Sequence, residues 1–163
     1  GKLGDIMMSK DNSIKWTNVD KSGALALHKE RKFKGKFLVK DLMNTFAIDT
    51  DYDKLYDVIV ANDFLEHIAN PSDVLYQAHK ITHDDSKFFI SVPNWRMGHE
   101  FIYRGLFDYD NWVYTMWVHG WEVEQVFKSN LICNSSSKLS SESDMPDELI
   151  DSWNFYFVGK KRK

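Results

Sequence analysis

Apolar and polar positions alternate along this chain in two different periods, and the switches between them outline its elements. Ile6, Met7 and Met8 predict one or two helical turns near the amino end. Asp11-Asn12-Ser13 is turn chemistry. Residues 14–19 alternate apolar and polar, the pattern of a strand, and end at Asp20. Ser22 is placed to cap a helix from Gly23, with Ala24, Leu25, Ala26 and Leu27 to pack and Gly35 to break it. Residues 36–39 read as a second strand, ended by Lys40 and Asp41. Residues 44–54 read as loop or irregular helix.

The centre of the chain carries the clearest signal. Residues 57–61 are nearly all apolar, which predicts a strand buried on both faces of a parallel sheet. Asn70-Pro71 predicts a helix start, with Asn as cap and Pro at the first helical position. Val74, Leu75, Ala78 and Ile81 then form one apolar stripe. Asp84-Asp85-Ser86 predicts a turn, and residues 87–92 a fourth strand that runs into Pro93-Asn94. Residues 95–121 crowd Trp, Tyr and Phe together with no clean period. Residues 122–129 read as helix, 131–134 as strand, 135–146 as a Ser-rich mobile loop, and 154–159 as a last strand. Strands alternating with helices imply a doubly wound, mostly parallel α/β sheet. The final strands, with no helix between them, predict an antiparallel closure.

Length and composition narrow the picture. At 163 residues the chain reads as a single domain, 1–163, and an aromatic content of 15% argues against disorder. A net charge of -3 gives no electrostatic case for nucleic acid. The basic run 160–163 is expected to stay solvated. One cysteine, Cys133, allows no internal disulfide and points to a reducing compartment. No apolar run has membrane-span length and no signal-peptide pattern is present, so the expectation is a cytoplasmic protein without a membrane partner.

Polar groups gather at the predicted strand ends: Asp20, Asp41 and the pair Asn62-Asp63. In open α/β sheets ligands bind at that edge. An acid there can accept both hydroxyls of a ribose, and an acid on the next strand can reach an adenine amino group. One such residue is ordinary turn chemistry. Three at successive parallel strand ends favour a nucleoside site.

Residues 56–68, Tyr-Asp-Val-Ile-Val-Ala-Asn-Asp-Phe-Leu-Glu-His-Ile, resemble the fourth-strand motif of class I S-adenosylmethionine-dependent methyltransferases, which have a Rossmann-like fold. Asn70-Pro71, the helix after it and Phe89-Ile90-Ser91-Val92-Pro93-Asn94 are similar to that family's next helix and fifth strand. Asp20 matches the acid ending the family's second strand, and Asp41-Leu42 the acidic position after the third. Gly1-Lys2-Leu3-Gly4-Asp5 resembles the tail of its Gly-rich first motif, with one residue more than usual between the glycines. The resemblance implies S-adenosylmethionine as cofactor, held by Gly4, Asp20, Asp41, Leu42, Asn62 and Asp63. It implies methyl transfer to a small-molecule acceptor. It also places residues 95–121 as a lid or acceptor pocket, with Trp95, His99, Tyr103, Trp112 and His119 as candidate lining.

Two departures stand out. The family's first strand has no counterpart, so the chain reads as N-terminally truncated, and its cofactor binding and activity are expected to suffer. The family's Lys-Pro-Gly-Gly turn before the fifth strand is replaced by Thr82-His83-Asp84-Asp85-Ser86. His67 is the candidate general base, equally readable as a histidine that fixes its loop. His79 and His83 are four apart, but no third ligand accompanies them, and no metal is expected. Cys133 has no activating neighbours. Three readings stay open: a methyltransferase, a truncated non-catalytic binding domain of the same fold, and a nicotinamide-dependent dehydrogenase. The last lacks its Gly-x-Gly-x-x-Gly motif. A homodimer is compatible with each.

Overall fold

The computed structural model describes residues 2–21, 23–24, 29–30, 32, 34–40, 55–94, 109–129, 136–139 and 154–163. The chain divides into two compact units, Gly1–Ala47 and Ile48–Lys163.

In the first unit, helix α1 spans Lys2–Lys10. Ser13 N–H donates to Asp11 Oδ1 (2.8 Å) and Ile14 N–H to Asp11 O (3.2 Å), so the predicted turn consumes Ile14. Strand β1 therefore starts later than the alternation suggests, at Thr17, and runs Thr17–Asp20. It pairs in parallel with β2, Lys36–Val39, from Thr17↔Lys36 to Asp20↔Val39. Residues 23–24 and 29–30 are helical, in line with the helix expected after Ser22. Ser22 itself lies outside the described residues.

In the second unit the order is β3 (Tyr56–Asn62), a 3-10 turn (Leu65–His67), α2 (Pro71–Lys80), β4 (Thr82–Pro93), α3 (Tyr109–Val118), β5 (Trp121–Ser129), β6 (Ser136–Leu139) and β7 (Asn154–Lys161). The sheet runs β3-β4-β7-β5-β6. β3 and β4 are parallel, and β7 enters between β4 and β5 antiparallel to both. This is the expected α/β arrangement with a C-terminal antiparallel strand.

One face of that sheet holds the core. Phe88, Ile90 and Val92 alternate along β4, and Ile90 and Val92 lie opposite Phe157 and Phe155 of β7, all buried. Tyr109 of α3 sits over Phe155 and Phe157, with ring centroids 6.1 and 5.7 Å away. A Cβ at Gly159 would lie 2.6 Å from Met116 Cε, so α3 approaches the bare backbone of β7 closely. α2 buries Val74, Leu75 and Ala78, and Trp121 Nε1–H donates to Leu75 O at 3.0 Å. Each such large side chain contributes about 1.5–3 kcal/mol by leaving water.

Several expectations are corrected here. Residues 122–129 are strand, not helix. Trp121, Val123 and Val126 are buried while Glu122 and Glu124 are exposed, a period of two interrupted by a bulge between Val123 and Gln125. Residues 84–86 are not a turn between elements. They form an irregularity inside β4, where buried Ser86 Oγ–H donates to Tyr56 O at 2.7 Å. β3 is not buried on both faces: Val58 is 47% exposed, and Phe89 on the same face of interior β4 is 42% exposed, so that face of the sheet is only partly covered. Part of the expected Ser-rich loop is strand, β6, and residues 140–153 lie outside the described residues.

Asn70 precedes α2 as expected, but its side chain does not cap the helix; its Nδ2–H donates to Asp73 Oδ2 at 2.8 Å. The basic tail is not simply solvated. Lys160 and Lys161 belong to β7, Lys161 Nζ donates to Thr82 O (2.6 Å), and the Arg162 guanidinium lies 4.4 Å from the Trp117 ring centroid. Among the described residues, no helix is long and apolar enough to cross a membrane.

Candidate functional site

β3 and β4 run in parallel and end together, Asn62 beside Ser91. Antiparallel β7 begins at the same edge, Asn154 opposite Pro93. Asp63 follows β3 with φ of 45°, in the left-handed region that Asp tolerates better than most residues. Its N–H donates to Ser91 O (3.1 Å) and to Ser91 Oγ (2.9 Å). Its Oδ1 accepts from Ser91 Oγ–H (2.8 Å) and Asn154 Nδ2–H (2.7 Å), and its Oδ2 from Asn62 Nδ2–H (3.2 Å). The carboxylate thus joins the ends of three strands.

The chain then enters the 3-10 turn Leu65–His67, pinned by buried Leu65 and Ile68. The turn gives its two titratable side chains opposite exposure. The Glu66 side chain is fully buried, while the neighbouring His67 side chain is 49% exposed, with Nε2 3.7 Å from Glu66 Oε1. Burial pushes the Glu66 carboxyl up to about 7, with a smaller push in the same direction from the Asp63 carboxylate. This edge therefore offers one acid poised near neutrality beside an exposed imidazole.

His119 follows α3 and is partly buried; burial lowers its pKa, against an opposing pull from Asp73. Trp112 is core rather than an open lining residue, at 1% exposed. An open depression of about 390 Å³ lies on the sheet around Val60, Asn62, Phe89, Ser91, Phe127 and Tyr156. His79 and His83 sit on different elements, α2 and β4. The His79 ring packs edge-on to Trp121 at 5.8 Å.

In the first unit, Asp20 ends β1 exposed. Its Oδ1 accepts from Lys21 N–H (2.8 Å), and its Oδ2 has no partner among the described residues. An exposed carboxylate suits a hydroxyl-bearing ligand. Gly4 lies in α1 rather than in a loop, buried against Trp16. Asp41, Leu42, Trp95, His99, Tyr103 and Cys133 lie outside the described residues.

Sequence reasoning singled out Asn62, Asp63 and His67 but missed Glu66, Ser91 and Asn154. Ser91 left a faint signal, as a hydroxyl inside the apolar run Phe88-Phe89-Ile90-Ser91-Val92. Asn154 left none, since its partner is 91 residues away.

A family model described as a methyltransferase domain matches residues 5–132. No curated protein sequence matches the chain. Among solved structures, a TehB-like S-adenosylmethionine-dependent methyltransferase from Corynebacterium glutamicum superimposes with a TM-score of 0.67 at 16% identity, covering 99% of this chain and 75% of that one. A possible histamine N-methyltransferase from Thermotoga maritima gives 0.65 at 14%, covering 98% and 79%. The cyclase SpnF gives 0.61 at 13%, covering 97% and 70%. At these identities the likeness is one of fold.

Proposed function

The chain belongs to the class I S-adenosylmethionine-dependent methyltransferase family, and from that premise we propose that it transfers a methyl group to a small-molecule acceptor at the carboxyl edge of its parallel strands. The observation that carries this reading is the cluster at the ends of β3 and β4, where Asn62 closes β3 exposed and the Leu65–His67 turn sets an exposed imidazole beside a buried acid. An exposed amide at the end of a parallel strand fits the polar groups of a nucleoside. Gly4, Asp20, Asp41 and Leu42 complete the proposed cofactor set on the resemblance alone.

S-adenosylmethionine, when bound, supplies an electrophilic methyl group on a sulfonium. The chain's own contribution is to hold the acceptor in line with it, and alignment of this kind supplies roughly 7–11 kcal/mol. His67, exposed and beside Glu66, is the group proposed to take a proton from the acceptor. Trp95, His99 and Tyr103, with His119, are proposed on the resemblance to surround that acceptor. The SpnF likeness favours one alternative, a different reaction on the same fold, since fold does not carry chemistry by itself.

Isothermal titration with S-adenosylhomocysteine tests the reading. Binding in the micromolar range that Asp20→Ala abolishes is the expected result. Binding of NADH in its place would overturn it.

A further inference from the structure

Three donors from three strands converge on the Asp63 carboxylate: Asn62 from β3, Ser91 from β4 and Asn154 from β7. An ionised carboxylate offers about four acceptor sites, so the protein itself uses most of them. These bonds to a charged acceptor are stronger than neutral ones. They hold Asp63 in a left-handed conformation, which costs free energy unless its surroundings impose it. The same carboxylate takes Asn62 Nδ2 and so holds the exposed Asn62 amide. The turn that buries Glu66 and exposes His67 starts at Phe64, the next residue after Asp63.

We propose that Asn154 is a positioning residue of this site. By holding Asp63 it fixes the Asn62 amide and the Leu65–His67 turn in the orientation that meets the cofactor. Asp63 acts through this clamp rather than as a cofactor ligand. The inference rests on the methyltransferase reading of the same edge. Asn154 lies beyond the residues that the family model matches, so the role comes from the geometry of β7.

The test is titration of S-adenosylhomocysteine into the full chain as wild type, Asp63→Ala, Asn154→Ala, the double variant and Asp63→Asn. Each alanine variant is expected to lose affinity roughly tenfold. The double variant should lose no more than the weaker single, because both changes break one unit. Asp63→Asn keeps an oxygen for Ser91 and Asn154 but sets an amide N–H against Asn62 Nδ2, so it should lose affinity, and by less than Asp63→Ala. Unchanged affinity in Asn154→Ala overturns the proposal. So do losses that multiply in the double variant, or an Asp63→Asn loss as large as that of Asp63→Ala. Amide hydrogen exchange at Asp63 separates the two possible failures. If the wild type binds nothing, the reading of this edge as a cofactor site falls. The clamp then stands only if Asn154→Ala speeds exchange of the Asp63 amide, and falls if the rate is unchanged.

Discussion

Glu66 is buried directly beside an exposed His67, Oε1 to Nε2 3.7 Å. The folded chain holds the Glu66 proton to about pH 7, against an ordinary value of 4.5. Between those values the folded state binds more protons than the unfolded state, so stability falls as pH rises from about 4.5 to about 7. The full effect is about 3 kcal/mol. Glu66→Gln should remove this slope and make the protein more stable than wild type above pH 7. Urea denaturation at pH 5 and pH 8 checks it; parallel slopes in the two proteins would sink the assignment.

A Cβ at Gly4 would lie 2.6 Å from Trp16 Cδ1 and Nε1. The indole is large and its neighbours must move with it, so Gly4→Ala should destabilise the first unit by about 1–3 kcal/mol despite better helix propensity. Thermal denaturation followed by Trp fluorescence reads this. Gly23 is the contrast: it is helical, and a Cβ there meets nothing within 4 Å. Gly23→Ala should stabilise by about 0.5 kcal/mol.

Gly120 turns the chain from α3 into β5 with φ of 85°, and a Cβ there would lie 2.5 Å from His79 Cδ2. Gly120→Ala meets both backbone strain and that ring, which itself packs on Trp121. A loss of about 2 kcal/mol or more is expected. Denaturation midpoints equal to wild type would contradict it.

The Arg162 guanidinium stacks on Trp117 and donates from NH1 to Trp117 O at 3.0 Å. Trp117 is 53% exposed, so water weakens the stack. Arg162→Ala should cost about 1 kcal/mol and shift Trp fluorescence. Arg162→Lys should recover only part of that, because an ammonium lacks the planar face that lies on the indole.

Local pattern was enough wherever one period dominated. The Pro71–Lys80 helix, β2, β3 and β7 follow from apolar spacing, Asn-Pro chemistry and β-branched runs. Where two periods competed, it was not enough. Residues 122–129 read as helix only if the alternation of Trp121, Glu122, Val123 and Glu124 is discounted, and pairing with β7 decides for the strand. Val58 looks like a core residue in sequence and is exposed in the fold, as Phe89 of interior β4 is on the same face, because no local pattern encodes which sheet face becomes covered.

The same division runs through the site. The sequence by itself determined the family, the α/β class and the polar strand ends at Asp20, Asn62 and Asp63, because residue type and spacing along one segment carry that information. Only the tertiary structure decided what Asp63 does with its carboxylate. Its partners Ser91 and Asn154 stand 28 and 91 residues away, and hydrogen bonds of a few ångströms reach it only after three strand ends meet at one edge.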